Sequence, residues 1–137
     1  MSLASRATVL AGRALRLRCP HCGGRPVFTR WLRMLPNCPV CGFRFERGER
    51  GYWLGAYFVN LVIMETAFVV WFGSILLLTW PDPPWTLLWA STIVLMAAVP
   101  FLAFPWSRTL FLAFDLLVRP ANSEDFALPQ ERQRSRL

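Results

Sequence analysis

Two short cysteine pairs, Cys19-Pro20-His21-Cys22-Gly23 and Cys38-Pro39-Val40-Cys41-Gly42, hold all four cysteines of the chain. The C-x2-C-x15-C-x2-C spacing is that of a four-thiolate metal site, because each pair closes a tight turn that aims both sulfurs at one point. Proline shapes each turn, and the glycine after the second cysteine supplies a positive φ at little cost. Zinc is the expected occupant, with Cys19, Cys22, Cys38 and Cys41 as ligands; iron, which accepts the same tetrahedral sulfur geometry, is the competing metal. Two disulfides are the alternative, but they belong to small secreted domains, and no secretory signal precedes the motif. His21 is not needed once four sulfurs are present and is expected at the surface or beside the ligands.

A head of about thirty residues buries too little apolar surface to fold by itself, so the metal is expected to hold it together. Between the cysteine turns lies Val27-Phe28-Thr29-Arg30-Trp31-Leu32-Arg33-Met34-Leu35, whose aromatic and β-branched residues suit short strands. Val27, Phe28, Trp31 and Leu35 are read as the small core of this ribbon or its contact with a membrane.

The rest of the 137-residue chain is divided by charge. Of the fifteen basic residues, all arginine, ten precede Gly51 and none lies between Tyr52 and Phe104. That contrast marks a membrane protein with a basic head. A first span is expected over 52–80, an external Pro-rich turn over 81–84, and a second span over 85–104 bent by Pro100; each span is long enough for the roughly 20 residues a bilayer requires. Arginine on both flanks of the pair puts both termini in the cytoplasm.

The flanking segments read more simply. Residues 1–13 are taken as a flexible basic arm, with a transit peptide as the alternative, residues 14–46 as the ribbon, and 47–51 as a joint broken by Gly48 and Gly51. Over 105–119, Arg108, Asp115 and Arg119 share a helical stripe, which predicts an amphipathic helix along the cytoplasmic interface; Asp115 and Arg119 also suit an i, i+4 pair. Residues 120–137 are polar and aperiodic and are expected to be disordered. The fold class is thus a mainly α membrane protein: a small N-terminal zinc ribbon of short β hairpins, a two-helix transmembrane hairpin and a C-terminal interfacial helix.

Glu65 falls near the middle of the first span, where a charge costs roughly 3 kcal/mol. It is either a functional carboxylate or a protonated group hydrogen-bonded to Ser91 and Thr92 or to another subunit, and the second reading is preferred because no other ionisable residue is present in either span. Asn60 is expected at a helix–helix contact. No nucleophile with a base and no phosphate loop is present, which argues against an enzyme or a small-molecule substrate.

The cysteine pairs, the joint Phe45-Glu-Arg-Gly-Glu-Arg-Gly-Tyr-Trp53 and the segment Ser107-Arg-Thr-Leu-Phe-Leu-Ala-Phe-Asp-Leu-Leu-Val-Arg-Pro120 together resemble the bacterial domain-of-unknown-function family 983. The resemblance implies a CPxCG head on two transmembrane helices, carries no catalytic residue, and suggests an accessory or assembly role beside a haem-copper oxidase.

Three functions compete on this reading. The first is a non-enzymatic subunit whose partners are the lipid bilayer and a membrane protein or a second copy of the chain. The second is a metal-handling or thiol-redox protein serving an oxidase, disfavoured because a closed four-sulfur site leaves no open position. The third is a nucleic-acid-binding ribbon using Arg16, Arg18, Arg25, Arg30, Arg33 and Arg44; a membrane surface already explains those charges.

Overall fold

The computed structural model describes residues 3–48 and 51–127. Its elements in chain order are α1 (Leu3–Leu15), β1 (Phe28–Arg30), β2 (Arg33–Met34), α2 (Leu54–Thr79), α3 (Trp85–Val118) and a 3-10 turn at Ser123–Asp125. The mainly helical class with a small ribbon and two long apolar helices is as expected.

The expected flexible arm is instead a helix from Leu3 onward. Ala4, Ala7, Ala11 and Ala14 favour helix, but thirteen residues are marginal alone and need a surface to bury a face against. That surface is the C-terminal end of α3. Leu10 and Ala14 are buried in the same cluster as Leu112, Ala113 and Leu116. The carbonyls left over at the end of α1 are met from α3: Thr109 Oγ1 donates to the Ala14 carbonyl at 3.0 Å and Trp106 Nε1 to that of Leu15 at 3.1 Å.

Strands β1 and β2 form an antiparallel hairpin, Phe28 opposite Met34 and Arg30 opposite Arg33, with Trp31 and Leu32 at its tip. The ribbon core under it is Val27, Leu35, Phe43 and Phe45. Gly48 and Gly51, both with positive φ, lead towards α2; Glu49 and Arg50 of the expected joint lie outside the described residues.

Helices α2 and α3 pack antiparallel around the turn at Pro81–Pro84. Gly55 lets the Phe111 ring lie against the α2 backbone, since a Cβ there would overlap the ring. Farther along, Asn60 Nδ2 donates to the Pro100 carbonyl at 3.2 Å and Trp71 Nε1 to Ser91 Oγ at 3.3 Å. Both helices are long and apolar enough to cross a membrane, and neither is wrapped in protein: Ala56 alone is buried in α2.

The second span was expected to stop at residue 104, with a separate interfacial helix over 105–119. The structure corrects this, because α3 runs unbroken for 34 residues through Pro100 and Pro105. Pro105 has no N–H for the carbonyl of Phe101, four residues earlier, and a helix interior normally suffers for that. Here Trp31 Nε1, from the ribbon tip, donates to the Phe101 carbonyl at 2.8 Å. The C-terminal third of α3 is therefore a post on which α1 and the ribbon sit: Thr109, Leu112, Ala113, Asp115 and Leu116 are buried, whereas Phe114 and Val118 face outward.

The expected disorder of 120–137 is corrected for its first part. Asn122 and Asp125 form a capping box around the 3-10 turn, and Phe126 bridges to Phe43 of the ribbon. Residues 128–137, like Met1 and Ser2, lie outside the described residues.

Candidate metal centre

The two cysteine turns are near copies of each other. Gly23 N–H donates to the Cys19 carbonyl at 2.7 Å and Gly42 N–H to that of Cys38 at 2.8 Å, and both glycines have a φ near 80° (80° and 79°). Gly24 is held to glycine by space, since a Cβ there would come within 2.6 Å of the Val40 side chain. Arg13 of α1 secures the first turn, donating through Nη1 to the carbonyls of Pro20 at 3.0 Å and His21 at 2.6 Å.

All four sulfurs lie within 4.8 Å of one another. Cys19 Sγ is 4.0 Å from Cys41 Sγ, and Cys22 Sγ is 3.7 Å from Cys38 Sγ. A disulfide would need about 2.05 Å, whereas a tetrahedron of sulfurs about 2.3 Å from a central metal has edges of about 3.8 Å. The cysteines are free, Cys19 and Cys38 buried and Cys22 and Cys41 half-buried. The four can hold a metal ion, and they fit a closed tetrahedral site.

Their electrostatics point the same way. The hydrogen bonds to Cys38 and Cys41, aided by burial, push the Cys19 thiol well above its ordinary range, while the bonds from Cys19 and Cys41 hold Cys38 far below it. Four sulfurs this close share protons because they cannot all ionise together without a cation among them. Gly24 N–H, donating to Cys22 Sγ at 3.3 Å, is the kind of backbone contact that steadies a thiolate ligand. His21 is exposed and stacks on Phe43, 5.7 Å between ring centroids, consistent with the expected surface position.

The chain after Asn122 completes the site from behind. Arg44 N–H donates to the Asp125 carbonyl at 2.8 Å and Ala127 N–H to that of Gly42 at 2.7 Å, so the tail lies along the second cysteine turn like a short extra strand.

Beside it is a buried charge cluster that sequence reasoning missed. Arg47, its side chain 5% exposed, pairs at 3.2 Å with both Asp115 Oδ2 and Asp125 Oδ2. Tyr52 donates its hydroxyl to Asp115 Oδ2 at 3.0 Å, and Arg47 Nη1 reaches the Arg119 carbonyl at 2.9 Å. The expectation that Asp115 faces headgroups is thus corrected: its carboxylate is taken by Arg47 and Tyr52 and turned inward. Of the other two residues on that stripe, Arg119 is exposed, and Arg108 lies over the rings of Trp53 (4.3 Å) and Phe104 (4.6 Å). The available signal was Arg47 beside two glycines, a cation where the chain must turn.

Neither intramembrane candidate approaches the sulfurs through any described contact. Asn60 makes the expected helix–helix bond, with its Oδ1 buried and unbonded. Glu65 is exposed on α2 and has no hydrogen-bond partner among the described residues. Ser91 and Thr92 are not its partners: each donates to the Leu88 carbonyl, at 3.1 and 2.7 Å.

Comparison with the curated proteins and with the solved structures gave no match. The profile of one family, described as "Protein of unknown function (DUF983)", matches residues 28–115, from the first ribbon strand through both long helices to the buried aspartate. It takes in Cys38 and Cys41 but starts after Cys19 and Cys22. With well over half of its length matched, the chain belongs to the DUF983 family of proteins of unknown function.

Proposed function

We propose that the chain is a non-enzymatic membrane protein with two spans, whose ribbon binds structural zinc at the cytoplasmic face of a bacterial inner membrane and which serves as an accessory or assembly subunit of a larger membrane complex. The observation that carries this reading is Glu65. It sits twelve residues from Trp53, about 18 Å along α2, exposed among Leu61, Val62 and Val69 and bonded to nothing described. A carboxyl turned outward at mid-bilayer costs roughly 3 kcal/mol unless a neighbour brings a hydrogen-bond donor to it. A partner helix relieves that cost; lipid does not.

The closed thiolate set supports a structural metal over a transferred one, because four ligands leave no position for an acceptor to approach. Arginine-rich flanks support the orientation. A respiratory oxidase is the complex that family resemblance suggests. A photoreactive side chain placed at position 61, one turn from Glu65 and exposed like it, tests the reading in the native membrane: cross-linking to one membrane protein, reduced by Glu65→Leu, is expected. A chain that cross-links only to lipid and purifies alone in mild detergent would sink it.

A further inference from the structure

Where the ribbon leans on the helices, a half-open cleft of about 260 Å³ lies between Arg33, Met34 and Pro36 on the ribbon side, Glu46 and Trp53 at the joint, and Arg108 on α3. Among the described residues the Arg33 and Arg108 guanidiniums have no hydrogen-bond acceptor and the Glu46 carboxylate no donor; the Arg108 guanidinium lies over the ring faces of Trp53 and Phe104. Two guanidiniums with all their donors open in one cleft are suited to a planar-forked grip on a phosphate.

The depth of the cleft identifies the source of that phosphate. With Trp85 at the outer interface, Phe101 lies sixteen residues along α3, about 24 Å, inside a hydrocarbon layer about 30 Å thick. The ribbon tip reaches that level, since Trp31 Nε1 is bonded to the Phe101 carbonyl and its ring meets Trp106 edge-on at 5.6 Å. Leu32 beside it is 51% exposed and Trp31 49%, with Arg30 and Arg33 on either side. An apolar tip bracketed by arginines, continuous with the outward faces of Phe101 and Leu102, has the pattern of an element seated among headgroups.

We propose that this cleft binds the headgroup of an inner-leaflet phospholipid: Arg33 and Arg108 take the phosphodiester, Glu46 accepts a donor on the headgroup, and the acyl chains run along Trp31, Leu32 and Phe101. The carboxylate sets the preference. An ethanolamine ammonium or a glycerol hydroxyl can donate to Glu46, whereas choline cannot. This inference rests on the membrane-spanning reading above and does not need the partner at Glu65.

The test is native mass spectrometry of the full-length, zinc-loaded protein, taken into detergent with added phosphatidylethanolamine, phosphatidylglycerol or phosphatidylcholine. Wild-type protein is expected to retain either of the first two over phosphatidylcholine. Arg33→Ala with Arg108→Ala is expected to lower that retention roughly ten-fold, the loss of two charge-assisted contacts, and Arg16→Ala, outside the cleft, to leave it unchanged. Lysine at both positions keeps the charge but not the fork and is expected to restore only part of it; equal zinc content in all variants controls for misfolding. Equal retention by the alanine variant, equal retention of phosphatidylcholine, or full competition by millimolar inorganic phosphate would each overturn the proposal. Resistance of the wild type to alkaline carbonate extraction is measured alongside. Its loss would bring down the membrane reading and the cleft with it, while its presence with unaltered lipid retention brings down the cleft alone.

Discussion

The ribbon and the helix hairpin are held together by opposite means. In the ribbon, Phe43, Phe45, Cys19 and Cys38 are fully buried, and the backbone of one cysteine turn is bonded to the tail that follows α3. In the hairpin, Leu77 and Leu78 are 81% and 84% exposed, and the two helices touch along one narrow seam. The head closes on its own contents, and the hairpin is left for its surroundings to complete. A segment built the first way depends on what its four sulfurs can hold; one built the second way depends on its neighbours.

The largest expected effect separates the two. Cys38→Ser, or removal of the metal by a strong chelator, is expected to unfold the ribbon, since apparent zinc-binding energies of about 10–16 kcal/mol far exceed what so small a core supplies. Limited proteolysis should then cut between residues 16 and 48 while far-ultraviolet circular dichroism keeps most of its helical signal. Loss of both together would mean that the comparison is wrong and the helices depend on the metal as well.

Acid should act on the same site. The bond with Cys19 lowers the Cys41 thiol, but contact with Cys38 and burial outweigh it and push it up to about 12, so Cys41, like Cys19, keeps its proton in the metal-free site at neutral pH. Metal entry must displace those protons, and affinity is expected to fall as pH falls from 8 to 6. A competition titration with a zinc-binding dye checks the sign; affinity independent of pH would contradict it.

Next comes the clamp between the regions. Asp115→Asn leaves Arg47 with Asp125 alone, and Arg47→Met leaves two carboxylates facing each other; removing one member of a buried pair costs about 3–5 kcal/mol. Thermal unfolding of the detergent-solubilised protein should show the larger drop for Arg47→Met. Gly55→Leu, which drives a side chain into the Phe111 ring, is expected to cost about 1–3 kcal/mol and to disturb the hairpin seam without lowering zinc content. The smallest effect is that of Trp31→Phe. It gives up the bond to the Phe101 carbonyl for about 1 kcal/mol, and hydrogen exchange should quicken in α3 around Pro105.

What could be read from the sequence was whatever carries its own local signal. The cysteine turns repeat within five residues, and the apolar runs announce α2 and most of α3. Most of the errors concern groups whose partners are distant in the chain. Helix α1 looked like a loose arm because its stability comes from Thr109, Trp106 and Leu116, about ninety residues on or more. Pro105 looked like a stop because the donor that repairs its missing bond is Trp31. Asp115 looked like a surface charge because Arg47 and Tyr52 are invisible from its own helix. Asn122 and Asp125 did offer a local signal, a capping box four residues long, and its brevity hid it within a polar tail.

The seat of α1 on α3 also imposes an order of events on synthesis. Ala14 leaves the ribosome ninety-five residues before the Thr109 hydroxyl that caps it. At about 5–20 residues per second, the first helix and the cysteine turns wait roughly 5–20 s for the post they dock on. The sulfurs can capture metal during that interval, but the head cannot take its final position until both long helices have been made.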